Sequence, residues 1–277
     1  MNFDEIVTQV YDNGFCNLDN FLDTEDQIFL DVCSKIYMSQ KGDNFGKFAI
    51  TSKSLLIKLV KLDLKKIYYS LILKRISKKY RFKELSSRIL GAKTNLINID
   101  TYFNDLSTDP ILDWHCDLSN KSMFKKGKIA NPEMVSIKFF FYLTDVYSEN
   151  GCLSYIPGSH KIVKEIGKLI FNKELDYQYY WSLKTLTDLV KKKEIRGKLE
   201  KYLGEDQVTT FLANSDSILL EDKQKIFDIP VKKGGLIIFD EYGVHRGSQI
   251  KYNPRKVLRF FYRKKNIHEK FRYNKTV

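Results

Sequence analysis

Cysteine is scarce in this chain. The four residues, Cys16, Cys33, Cys116 and Cys152, are far apart and form no CxxC pair. That spacing argues against a disulfide framework and against a structural zinc site. Long apolar runs are also missing. The densest, Phe139 to Leu143, is the size of a strand and far short of the roughly 20 residues that span a bilayer. The opening residues, Met1-Asn2-Phe3-Asp4-Glu5, carry acids where a signal peptide carries bases. No repeat of fixed period and no low-complexity linker interrupts the chain. These absences lead to the expectation of one cytoplasmic domain, residues 1–277, without integral membrane association.

What is present fits a globular enzyme-sized domain. Hydrophobic residues make up 43% and charged residues 29% of the 277 positions, which excludes a disordered or collagen-like chain. The 19 Phe and 17 Tyr can fill a large core without covalent support. Lys and Arg exceed Asp and Glu by 47 to 34, giving +13. The excess is spread along the chain and accompanies no nucleic-acid motif, so it reads as general surface character. It is compatible with an anionic or carrier-linked small-molecule substrate. Nucleic acid is not expected as a partner.

The first 92 residues read mainly as helix. Asp23-Thr24-Glu25 can cap a helix over about 24–40. A second helical region, Ser54 to Tyr80, carries eight bases and an apolar stripe that includes Leu56, Val60, Ile67 and Leu71. From Lys93 the pattern changes to strands: Asn95 to Phe103, Ser136 to Leu143 and Gly151 to Ile156. Strands resume over Asp228 to Asp240 and Lys256 to Arg263. Barrel strands are thus expected in 93–162 and 226–265, with a helical insertion between them at 163–225. Strands and helices do not alternate as in a parallel α/β sheet. The expected architecture is mainly β with flanking helices, an antiparallel barrel or sandwich.

Histidine is as scarce as cysteine, with His115, His160, His245 and His268 only. His115 and Asp117 stand two apart in an extended segment, so they share one face. His245 follows the strand Leu236 to Phe239. Two His and one carboxylate converging at strand ends would form the facial triad of non-haem Fe(II) oxygenases. Three protein ligands leave three octahedral positions free, two for a bidentate 2-oxo acid and one for dioxygen. The far carboxylate of such a cosubstrate needs a fork of donors, the role Arg fills best. Arg255 opens the last strand and is the first candidate, with Arg259 on the same strand as the alternative. Ser248 can offer a hydroxyl to the same carboxylate.

The segments His115-Cys116-Asp117, Gly151-Cys152-Leu153-Ser154-Tyr155-Ile156-Pro157-Gly158-Ser159-His160 and His245-Arg246-Gly247-Ser248 through Pro254-Arg255 resemble the phytanoyl-CoA dioxygenase family. Tyr11-Asp12-Asn13-Gly14-Phe15 and Asn20-Phe21-Leu22 are similar to that family's opening. The resemblance implies a double-stranded β-helix, the cupin-like jelly roll, and dependence on Fe(II), 2-oxoglutarate and O2. It implies His115, Asp117 and His245 as metal-binding catalytic residues and Arg255 as the 2-oxoglutarate clamp, with Tyr102 a further cosubstrate contact. The implied reaction hydroxylates an aliphatic C–H of a small molecule and releases succinate and CO2. The alternative is a non-catalytic cupin-like barrel that binds metal or ligand.

The remaining singular residues read as structural. His160, after Pro-Gly-Ser, is expected to fix a turn, and His268 to lie in a polar tail. Trp114 and Cys116 point away from the His115 face, and Cys152 is expected in the core. Trp181, with Tyr177, Tyr179 and Tyr180, either lines a substrate pocket or anchors the insertion, which is expected to act as a lid.

Overall fold

A computed structural model describes residues 2–38, 48–49, 64–118, 131–178 and 180–265. Its centre is β5 (Ser136–Tyr142), every residue of which is buried. β5 pairs antiparallel with β9 (Leu236–Asp240) and with β11 (Arg255–Lys264). β1 (Phe15–Leu18), β3 (Thr94–Asn104) and β2 (Phe48–Ala49) complete a sheet of order β1-β9-β5-β11-β3-β2. A second antiparallel sheet has the order β7-β4-β10-β6-β8. Its strands are β4 (Leu112–Cys116), β6 (Leu153–Tyr155), β7 (Trp181–Ser182), β8 (Asp228–Ile229) and β10 (His245–Gly247). The two sheets face one another as in a jelly roll. They are hydrogen-bonded separately, so the expected barrel is an open double-stranded β-helix.

The pleat of β5 divides the core. Phe140 and Tyr142 point between the sheets, where Leu153, Tyr155, Phe239 and Val257 meet them. Ile137, Phe139 and Phe141 point to the outer face and pack under the N-terminal helices. Those helices are α1 (Phe3–Asn13), α2 (Thr24–Met38), α3 (Leu64–Lys79) and α4 (Phe82–Ile89). Phe82 is fully buried there, stacked on Phe139 at 4.5 Å and edge-on to Phe260 at 5.7 Å.

The α3 stripe is set differently from its expected phase. Leu71 is 51% exposed, whereas Leu73 and Ile76 are buried against the sheet. The basic residue Lys79 pairs with Asp23 and Asp26. The first part of the helix expected over Ser54 to Tyr80, residues 54–63 with Leu56 and Val60, lies outside the described residues, as does His268.

The insertion forms α5 (Ser159–Phe171), α6 (Leu183–Val190), α7 (Lys193–Leu203) and α8 (Glu205–Leu219). These helices pack behind the smaller sheet, on Trp114, Cys116 and Val244. Trp181 is fully buried in that layer, so it anchors the insertion. Among the described residues no helix is long and apolar enough to cross a membrane.

Candidate metal centre

β4 and β10 run antiparallel with His115 directly opposite His245. The two imidazole centroids are 4.5 Å apart. Each ring is oriented by the carbonyl two residues before it. His115 Nδ1 lies 2.6 Å from the Asp113 carbonyl and His245 Nδ1 lies 2.8 Å from the Gly243 carbonyl. A carbonyl can only accept, so each Nδ1 carries the proton and donates it. Each Nε2 is left with its lone pair for a metal. Asp117 follows β4, its N–H donating to the Glu241 carbonyl at 3.1 Å. Its Oδ1 is 3.7 Å from His115 Nε2 and its Oδ2 is 3.8 Å from His245 Nε2.

One ligand atom from each of His115, Asp117 and His245 lies within 4.8 Å of the others. The charge states suit a cation. Burial, then the neighbouring His115, pushes His245 down to about 3, so its imidazole is neutral near pH 7. Burial works against the Asp117 carboxylate. Lys138, His245 and His115 outweigh it and hold the carboxylate below its ordinary range. Two imidazoles and one carboxylate on one face are a donor set that fits Fe(II).

The three side chains line a cavity of about 260 Å³, together with Tyr102, Asn104, Lys138, Phe140, Arg255, Arg259 and Phe261. The two candidate arginines differ sharply. Arg259 is fully engaged: Nε and an Nη donate to the two oxygens of Asp100 at 2.6 and 2.8 Å. Its guanidinium also lies 3.9 Å over the Tyr102 ring. Arg255 is 5% exposed, and its Nε has no hydrogen-bond partner. Its guanidinium sits 5.5 Å over the Tyr142 ring. A buried guanidinium without a carboxylate is costly unless an anion reaches it.

Gly151 makes room for Arg255. Its φ is +77°, and a Cβ there would stand 2.8 Å from Arg255 Cδ. Ser248 is buried but does not line the cavity. Its Oγ is 3.4 Å from Cys152 Sγ. The structure therefore brings His115, Asp117, His245, Arg255 and Tyr102 to one cavity and leaves Ser248 behind its wall.

The Pro-Gly-Ser-His segment supports His245 from outside. Ser159 Oγ accepts the N–H of Val244 at 2.8 Å and donates to the Ile156 carbonyl at 2.6 Å. His160 Nε2 is bonded to the Tyr11 carbonyl at 3.1 Å and ties α5 to α1.

A family model described as phytanoyl-CoA dioxygenase matches residues 11–252. The chain belongs to the phytanoyl-CoA dioxygenase family. Membership makes it an enzyme of the dioxygenase class, with Fe(II), 2-oxoglutarate and O2 as the family's cofactors. No curated protein matches the chain significantly in sequence.

Solved structures show the same fold. The epimerase SnoN, in complex with Fe3+, alpha ketoglutarate and nogalamycin RO, superposes with TM-score 0.55 at 12% identity, covering 95% of this chain and 83% of SnoN. EctD from S. alaskensis, solved with 2-oxoglutarate and 5-hydroxyectoine, gives 0.53 at 14% identity, covering 95% and 76%. AviO1 from Streptomyces viridochromogenes Tue57 gives 0.53 at 14% identity, covering 96% of both chains.

Two polar cavity residues of this dioxygenase escaped the motif reading. Asn104 lies opposite Arg255 on β3, and Lys138 lies inside β5. A lysine in an otherwise apolar strand, Ile137-Lys138-Phe139-Phe140-Phe141, was the signal for the second. Of the insertion, no described residue lines the cavity. Tyr180 stacks on His115 at 6.2 Å between ring centres and is 46% exposed.

Proposed function

We propose that this dioxygenase hydroxylates an aliphatic C–H of a small molecule, with His115, Asp117 and His245 as the iron ligands. The observation that carries the reading is the shared cavity. Three ligand atoms converge there, and Arg255, buried with its Nε lacking a hydrogen-bond partner, lines the same space. When bound, Fe(II) with 2-oxoglutarate and O2 would supply the oxidising power for C–H hydroxylation, with succinate and CO2 as coproducts.

The chain's own residues orient and select. The Asp113 and Gly243 carbonyls hold both imidazoles with Nε2 turned inward. Arg255 takes the far carboxylate of 2-oxoglutarate, because its fork is not spent on a protein carboxylate. Arg259 is spent on Asp100 and holds Tyr102 in place. Ile111, Leu112 and Leu153 add apolar lining to the cavity, which favours an aliphatic group. The charge left exposed elsewhere on the surface is compatible with an anionic or carrier-linked substrate. The whole chain acts as one oxygenase domain, with Tyr180 of the insertion stacked against His115.

The reading is tested by anaerobic loading with Fe(II), addition of 2-oxoglutarate and O2, and measurement of succinate against oxygen uptake. Stoichiometric succinate supports it. Metal binding with no 2-oxoglutarate turnover, across a broad panel of small molecules, would instead favour a binding barrel. His245→Ala must abolish the succinate signal.

A further inference from the structure

Lys138 is a buried cation whose place in the fold needs explaining. It is 6% exposed at the centre of β5. Its ammonium lies between the rings of Phe239 at 5.7 Å and Phe261 at 5.5 Å. It is ion-paired with Asp117 Oδ2, and Glu241 Oε2 is 3.6 Å away. Glu241 is fixed in turn by the Ser136 N–H at 2.8 Å and by Arg263 at 3.5 Å. Every other residue of β5 packs without a charge, so packing alone would be served better by an apolar side chain.

A carboxylate has two oxygens and can bind a metal through one or both. Binding through both would fill a position that a bidentate 2-oxo acid or dioxygen requires. We propose that Lys138 is a positioning residue that occupies Asp117 Oδ2 and restricts the carboxylate to one metal-binding oxygen. The inference rests on reading His115, Asp117 and His245 as the ligands. Glu241 balances the ammonium charge, so the clamp does not repel the metal outright. Two opposite effects follow when Lys138 is replaced by an apolar residue. A positive charge beside the metal disappears, which favours the divalent ion. The second Asp117 oxygen is released to the metal, which disfavours 2-oxoglutarate.

The test uses Co(II), which does not consume oxygen here, and 2-oxoglutarate as titrants, read by calorimetry and by the visible Co(II) spectrum. Lys138→Met should bind Co(II) at least as tightly as the native protein. It should bind 2-oxoglutarate to the Co(II) form about 10-fold or more weakly, a loss of the size seen when groups behind a metal ligand are removed. Lys138→Arg should stay within about threefold of native for both, since it keeps a cationic donor. Glu241→Gln, which leaves Asp117 as the only carboxylate on Lys138, should weaken Co(II) severalfold and leave 2-oxoglutarate affinity unchanged. It serves if the Met variant does not fold. Unchanged 2-oxoglutarate binding in Lys138→Met, or parallel loss of both ligands, would overturn the proposal; so would an unaltered Co(II) affinity in Glu241→Gln. If the native protein binds neither Co(II) nor 2-oxoglutarate, the oxygenase reading falls with it. A failure confined to the variants sinks the positioning role alone.

Discussion

His115 and His245 are a cross-strand pair, opposite one another in register, and each donates its Nδ1 proton to the carbonyl two residues earlier. The pairing sets the distance between the two rings, and the local hydrogen bonds set their tautomer. Neither depends on metal. The site is therefore pre-formed by the backbone of two short strands.

Replacing either histidine by Ala should weaken divalent metal binding by about 100-fold or more while leaving the fold intact, because one face of the ligand set is lost. Calorimetric titration with Co(II) and a melting curve of each variant measure both halves. Gly243→Ala should do similar damage by a different route. A Cβ at Gly243 would stand 1.7 Å from the Tyr155 hydroxyl oxygen, so the turn that orients His245 must move. That variant should lose metal affinity and melt at a lower temperature.

The two arginines should separate cleanly. Arg255→Ala should raise KM for 2-oxoglutarate by at least about 10-fold with little change in melting temperature, because it removes a guanidinium that no carboxylate among the described residues holds. Arg259→Ala should destabilise the fold by about 3–5 kcal/mol, because it strands Asp100 as an unpaired buried charge. Asp100 has only 2% of its side chain exposed. Steady-state kinetics and denaturant unfolding on both variants make the comparison. A KM effect from Arg259 without a stability loss would reverse the assignment.

Much of this arrangement was legible in the chain and some was not, for physical reasons. The strand Ser136 to Tyr142 announced itself by an unbroken apolar run, and His115 and Asp117 by a two-residue spacing on extended backbone. Which face of β5 points inward was not legible, because both faces are aromatic. The role of Lys138 was not legible either, because its partners Asp117 and Glu241 lie 21 residues before and 103 after it in sequence. The choice between Arg255 and Arg259 hung on Asp100, 159 residues from Arg259. The phase of α3 was misjudged because a helix with bases on several sides and apolar residues between them has a weak stripe. Leu71 ended on the solvent side and Leu73 on the core side.

The contribution of His160 to stability should fall as pH is lowered from neutrality. Burial pushes His160 down to about 4, against an ordinary value of 6.5. Its Nδ1 is buried without a partner. Between about 6.5 and 4 the unfolded chain holds a proton on this side chain and the folded chain does not. The stabilisation is thus complete above about 6.5 and is lost as pH falls through that window. His245, pushed down to about 3, adds to the same trend. Burial pushes Asp240 up to about 7, and it works in the opposite direction over the same range. The His160 share is therefore read as a difference: from pH 7 to pH 4 the native protein should lose melting temperature relative to His160→Gln, and an identical profile in the variant would show that His160 does not contribute.

A second buried ion pair braces the smaller sheet beside the metal ligands. Asp228 has only 2% of its side chain exposed. It accepts from Ser148 Oγ at 2.7 Å and from Ser154 Oγ, and it pairs with Arg246 at 3.3 Å. Arg246 follows His245 directly, and its guanidinium lies 5.3 Å over the Trp114 ring, adjacent to His115. The network thus joins β4, β6, β8 and β10 through the residues flanking both imidazoles. Asp228→Ala would leave Arg246 as a buried charge without a carboxylate, a change worth about 3–5 kcal/mol. In a chain of this size that corresponds to a fall on the order of 10 °C in melting temperature. The outward faces of β4 and β10 would loosen together, so Co(II) affinity should drop with stability. Trp114→Phe, which keeps an aromatic face under Arg246, should cost much less. Equal losses in the two variants would mean that packing, and not the charge pair, holds these strands.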